Sequence, residues 1–99
     1  IDFIKKKGVN NVVIWGTGEF SRYLLDTATE HEFIISGVVD GVEKKWGSNF
    51  MGFEVQSPQY LIGRESDIII ASVNFYGEIF NKIISLGISK DKVMPNFLL

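Results

Sequence analysis

At 99 residues the chain has room for one domain, able to bury about 60 to 65 per cent of its extended surface, and 45% apolar content with two prolines excludes disorder. A net charge of −2 supplies no basic face, so nucleic acid is not an expected partner. With no cysteine and a single histidine, His31, the stretch cannot build disulfides, thiolate chemistry, cysteine-ligated metal sites or a histidine-based triad. No apolar run approaches the roughly 20 residues of a membrane span and no signal peptide is visible, so a cytoplasmic location is expected. The chain opens at Ile1 and not at Met, which reads as a single domain, residues 1–99, cut from a longer protein, or as a chain whose start is processed or missing.

In chain order, residues 1–7 read as a helix end, with Lys5, Lys6 and Lys7 at the negative pole of the dipole and Gly8 as a left-handed cap. Asn10 and Asn11 turn into a first strand, Val12, Val13, Ile14 and Trp15, uncharged and β-branched as a strand covered on both faces should be. Gly16-Thr17-Gly18 breaks it sharply. Apolar positions Phe20, Tyr23, Leu24, Thr27 and Ala28 predict a helix on the sheet that stops near His31, read as exposed loop. Phe33, Ile34, Ile35, Val38 and Val39 make a second strand, and Asp40 closes it.

Gly41, Gly47 and Gly52 then punctuate a stretch with scattered apolar residues, read as a small hairpin or a long crossing loop. Ser57-Pro58 is an N-cap followed by proline at the first helical position, and predicts a short helix over 58–62 ended by Gly63. Residues 67–72 form a third buried strand. Tyr76, Ile79, Phe80, Ile83 and Ile84 mark a helix face with Gly87 as its cap, and Val93-Met94 is a short fourth strand after a turn over 88–92. The alternation predicts an α/β, three-layer Rossmann-like fold with a central parallel sheet of about four strands in the order 2-1-3-4 and right-handed crossovers.

Open parallel sheets bind ligands beyond the carboxyl ends of their strands, where the strand order reverses. Gly16, Thr17, Gly18, Glu19, Phe20, Ser21, Asp40, Ser72 and Asn74 fall there and are the candidate nucleotide-binding residues. Gly16 permits the turn, Gly18 lets a phosphate approach backbone N–H groups at the helix start, and Ser21 is the small residue that allows helix–sheet packing. Glu19 favours the helix dipole but competes with a phosphate, so a purely structural role for the loop stays open. Asp40 lies 24 positions after Gly16, about where the dinucleotide fingerprint places its ribose-binding acid, although Asp40-Gly41 is also an ordinary turn pair. Ser72 and Asn74 either contact a ligand or cap the following helix. Trp15 and Trp46 either stack on a base or pack.

Residues 12–21 read Val-Val-Ile-Trp-Gly-Thr-Gly-Glu-Phe-Ser, and they are followed by Gly37-Val-Val-Asp40, Lys45-Trp-Gly47, Gly52-Phe-Glu-Val55, Ser57-Pro58 and Ile69-Ile-Ala-Ser72. In this order they resemble the Rossmann-like domain of bacterial polysaccharide and sugar-nucleotide biosynthesis proteins. That domain precedes the catalytic part of capsular polysaccharide epimerase or dehydratase proteins and of UDP-amino-sugar acetyltransferases. The resemblance spans residues 8–93 and implies a nucleotide or nucleotide-sugar pocket at the glycine loop and Asp40, with UDP-sugar or NAD as ligand. Gly41 departs from it, standing where many relatives carry a second acid.

Catalysis is not expected from this stretch alone. The tyrosine-to-lysine spacing of short-chain dehydrogenases is absent, since Tyr23 is followed four residues later by Thr27, Tyr60 by Arg64 and Tyr76 by Phe80. S-adenosylmethionine enzymes usually place an acid just before the glycines, where this chain has Ile14-Trp15. The expected function is nucleotide or nucleotide-sugar binding for a glycan-synthesis protein, with a further domain of that protein as partner. Two alternatives stand beside it: a degenerate scaffold for domain or subunit interaction, its cleft plugged by Glu19, Phe75 or Tyr76, and a fragment of an NAD-dependent enzyme. A homo-oligomer is left open.

Overall fold

The computed structural model describes residues 11–28, 30 and 34–95. The expected helix end over residues 1–7, the Gly8 cap, Asn10, His31 and Phe33 lie outside the described residues. Within them run β1 (Asn11–Trp15), α1 (Glu19–Thr27), β2 (Ile34–Val39), β3 (Asn49–Phe50), β4 (Phe53–Gln56), β5 (Asp67–Ile70), α2 (Tyr76–Ser85) and β6 (Val93–Met94). One-turn 3-10 helices cover Glu43–Lys45, Pro58–Leu61 and Lys90–Lys92.

The sheet has the order β3-β4-β2-β1-β5-β6. Its inner run, β2-β1-β5-β6, is parallel throughout and matches the 2-1-3-4 order expected from the sequence. The glycine-punctuated stretch is a hairpin: β4 joins β2 in parallel and β3 pairs with it antiparallel, which extends the expected four strands to six. Met51 and Gly52 turn that hairpin with φ of 52° and 93°, the positive values that a tight two-residue connection requires.

Strand alternation distributes β1 between two layers of core. Val13 and Trp15 pack with Ile68, Ile70, Val93 and the buried residues Tyr76, Phe80 and Ile83 of α2 on one face. Val12 and Ile14 pack with Ile69, Met94 and Leu24 of α1 on the other. Such two-sided burial explains why these strands are runs of Val and Ile without polar alternation. The face of α1 differs from the expected one: Ser21 and Leu24 are buried, while Phe20 and Tyr23 are exposed and stack on each other at 6.3 Å. The tight glycine turn fixes the rotation of the helix, so positions 21, 24, 25 and 28 meet the sheet and the aromatic pair faces outward.

Two local features escape the pattern. Register slips between Val12 and Val13 place Ser36 in a bulge of β2, where its hydroxyl donates to the Val12 carbonyl at 3.2 Å. The next residue, Gly37, lies under the Tyr60 ring, so close that a Cβ would stand 2.8 Å from it. The Arg64 guanidinium lies over that ring, 3.5 Å from its centroid. Pro58 begins its helical turn as expected, but the Ser57 side chain makes no capping bond. Gly87, with φ of 84°, ends α2 as anticipated.

Candidate functional site

The turn after β1 is set by its first glycine. Gly16 has φ of 126°, and a Cβ there would lie 3.3 Å from the Ala71 carbonyl oxygen, so both conformation and space demand glycine. Its N–H donates to the Val39 carbonyl at 2.8 Å, and its own carbonyl accepts the Ser21 hydroxyl at 2.7 Å. Ser21 is fully buried, which accounts for a small polar residue at this point of α1. Gly18 is different. Its φ of −101° suits any residue, and nothing lies within 4 Å of where a Cβ would be. As N-cap of α1 it offers no side-chain bond, so the first-turn N–H groups of a nine-residue helix carry no side-chain cap.

Asp40 faces this turn from the end of β2. It is only 7% exposed, and its backbone is pinned from both sides: its N–H donates to the Gln56 carbonyl at 3.1 Å and its carbonyl accepts the Trp46 indole N–H at 2.7 Å. Oδ1 accepts the Val42 N–H at 2.8 Å, the turn-forming geometry anticipated for Asp-Gly. Oδ2 accepts the Thr17 hydroxyl at 3.0 Å, tying the acid to the middle of the glycine turn. The turn reading of Asp40 is met, and acceptor positions are left over, because a carboxylate has about four and these bonds use two.

Lys45 is the residue that sequence reasoning missed. Its ammonium donates to Thr17 Oγ1 at 2.9 Å and lies 3.7 Å from Asp40 Oδ2. The Lys45-Trp46-Gly47 run was visible as a motif, but a half-exposed lysine carries no signal of its own until the loop folds back over β2.

Between these groups opens a cleft of about 530 Å³. Trp15, Gly16, Thr17 and Gly18 line its floor and near wall, Asp40, Gly41, Val42 and Lys45 one side, and Ala71, Ser72, Phe75, Glu78 and Ile79 the other. It lies across β1 and β5, where connections leave to opposite sides of the sheet. Not every candidate reaches it. Glu19 is 97% exposed and pairs with Arg22 at 4.0 Å, Phe20 stacks outward on Tyr23, and neither they, Ser21 nor Asn74 line the cleft. Ser72 does line it, yet its hydroxyl accepts the Phe75 N–H at 3.2 Å, a turn bond ahead of α2; Phe75 is the N-cap and no side chain caps that helix, contrary to the capping reading. Of the residues considered as plugs, Glu19 points away and Tyr76 is core; Phe75 stands at the rim, 58% exposed. Trp15 is core and Trp46 serves the Asp40 carbonyl. Among the described residues no cluster of His, Asp and Glu could hold a metal ion, and no helix is long and apolar enough to cross a membrane.

A family model for the C2185-like N-terminal domain matches residues 8–94. The chain belongs to that family. No curated protein matches it. Among solved structures the C2185-like domain is similar to RSP, a Rex-family repressor, at 18% identity with a TM-score of 0.62, covering 88% of this chain and 47% of that one. RSP in complex with beta-NADH matches with a TM-score of 0.61 over 88% of this chain and 48% of that one. RSP with beta-NAD+ and operator DNA matches with a TM-score of 0.61 and 18% identity over 93% and 53%. The C2185-like domain thus spans about half the length of these neighbours, with which it shares the fold.

This last comparison corrects the expectation that nucleic acid is no partner. A protein sharing the fold of the C2185-like domain is solved on operator DNA. The charge argument weighed 99 residues, about half of such a protein, and net charge over one domain does not govern what an assembly containing it contacts. The comparisons carry nothing that supports a setting in polysaccharide biosynthesis.

Proposed function

We propose that the cleft between the glycine turn and Asp40 is a nucleotide-binding site, with NAD(H) as its ligand. The observation that carries this reading is the buried Asp40 carboxylate, fixed by Thr17 and Val42 at the end of β2 with acceptor positions to spare. Such an acid accepts hydrogen bonds from a ribose diol, while uncapped N–H groups at the start of α1 and the bare Gly18 suit a pyrophosphate. Gly16, Thr17, Gly18, Asp40 and Ser72 are the binding residues in this proposal. Ser21 supports the turn from below, and Glu19, Phe20 and Asn74 drop out.

UDP-sugars also carry a ribose and a pyrophosphate, so the site chemistry alone serves either ligand. NAD(H) is preferred because the structural neighbours are described as complexes with NADH and NAD+. The polysaccharide setting, a catalytic partner domain and a cytoplasmic location rest on the sequence alone. Calorimetry with NADH, NAD+, UDP-N-acetylglucosamine and S-adenosylmethionine tests the choice. A ligand at 100 times its dissociation constant adds about 2.7 kcal/mol of stability, so a thermal scan supplies an independent readout. Response to NADH or NAD+ supports the proposal, response to the UDP-sugar alone replaces the ligand, and silence from all four favours the scaffold.

A further inference from the structure

The corner of the cleft that would receive the ribose holds two opposite charges. Asp40 Oδ2 and Lys45 Nζ stand 3.7 Å apart, joined through the Thr17 hydroxyl, which donates to the acid and accepts from the ammonium. An acid alone at this place binds a free 2′,3′-diol and repels a 2′-phosphate, whereas a cation close by accommodates the phosphate. Here neither condition holds alone. The acid's side chain is 10% exposed and fixed, and the lysine side chain is 49% exposed; the lysine N–H donates to the Val42 carbonyl at 2.9 Å, its carbonyl accepts the Ser48 hydroxyl at 2.5 Å, and its ammonium is held by Thr17. The ammonium has three donors and one goes to Thr17, so donors remain, as do acceptor positions on Asp40. Lys45 is also the single cation among the described residues lining the cleft, where Asp40 and Glu78 are the acids.

We propose that the Asp40–Lys45 pair makes this site accept ribose with or without a 2′-phosphate, so that both NAD(H) and NADP(H) are ligands. The inference rests on the nucleotide reading above. With a bare diol, Asp40 accepts hydrogen bonds from the two hydroxyls and Lys45 offsets its charge against the pyrophosphate. With a 2′-phosphate, the half-exposed Lys45 ammonium supplies the counter-charge and shields the phosphate from Asp40.

The test is calorimetric titration of the protein with NADH and NADPH, for wild type, Lys45→Met, Lys45→Arg and Asp40→Asn, each variant first checked by thermal denaturation without ligand. Wild type binds the two within about tenfold of each other, and Lys45→Met moves the ratio against NADPH by about tenfold or more, the size of a lost charge-assisted bond. Lys45→Arg restores the wild-type ratio, and Asp40→Asn moves it toward NADPH. A wild-type preference above about a hundredfold in either direction, or an unmoved ratio in Lys45→Met, overturns this proposal while leaving the nucleotide reading standing. Binding of neither dinucleotide overturns both.

Discussion

Two strand-to-helix turns meet at the same edge of the sheet, from the neighbouring parallel strands β1 and β5, and they are built in opposite ways. After β1 the chain enters α1 through three residues, two of them glycine, and no side chain caps the helix. After β5 it takes five residues, 71–75, and closes on itself: the Phe75 N–H goes to the Ser72 hydroxyl, and the Tyr76 N–H to the Val73 carbonyl at 3.4 Å. The first turn bonds outward, to Val39, Asp40, Ser21 and Lys45, whereas the second bonds within itself. The difference lies in side-chain chemistry, since both leave parallel strands bonded to each other through the Ala71 N–H and the Trp15 carbonyl at 2.9 Å. What sets the first helix start apart is its glycine turn and the Asp40 carboxylate beside it, since neither α1 nor α2 carries a side-chain cap.

Breaking the first turn should have the largest effect. Gly16→Val forces a side chain onto φ of 126° and against the Ala71 carbonyl, and should lower stability by about 2–3 kcal/mol in urea denaturation. Asp40→Ala comes next: it strands the Thr17 hydroxyl and the Val42 N–H, so a loss of about 1–3 kcal/mol is expected together with loss of dinucleotide binding. Gly37→Ala lies outside both turns and serves as a control. The Tyr60 ring must shift to admit the new Cβ, and about 1–2 kcal/mol should be lost without direct effect on the cleft. Ser72→Ala removes the bond from the Phe75 N–H, with about 0.5–1 kcal/mol expected in the same denaturation series. A larger effect from Ser72 than from Gly16 would invert the comparison.

What the sequence made legible follows from burial. Val12 to Trp15, Val38 to Val39 and Ile68 to Ile70 are covered on both faces, so their apolar runs and the glycines that stop them announce the parallel core and its order. Asp40 was legible for a related reason, standing at the fixed end of such a strand. The hairpin's place in the sheet was not, because β3 has two residues and β4 four, and of these six only Phe50 and Val55 are buried. The outward face of Phe20 and Tyr23 was misread because spacing gives a helix its period but not its rotation, which the glycine turn and the buried Ser21 decide. Lys45 was hidden for the opposite reason to Asp40: a lysine in a loop gains meaning only from which residues the loop brings beside it. The Ser36 bulge and the Gly37–Tyr60 stack depend likewise on partners about 24 positions apart, which no local pattern encodes.

The most direct measurement is the affinity for NADH of wild type and Gly18→Ala, taken with the melting curve of each. Gly18 has ordinary backbone angles and open space beside it, so the fold does not require a glycine there and stability should stay within about 1 kcal/mol of wild type. If the uncapped turn receives a pyrophosphate, the added methyl group meets the ligand and affinity falls by about tenfold or more while the melting curve holds. Equal affinities in the two proteins, or no NADH binding by wild type, would contradict the account.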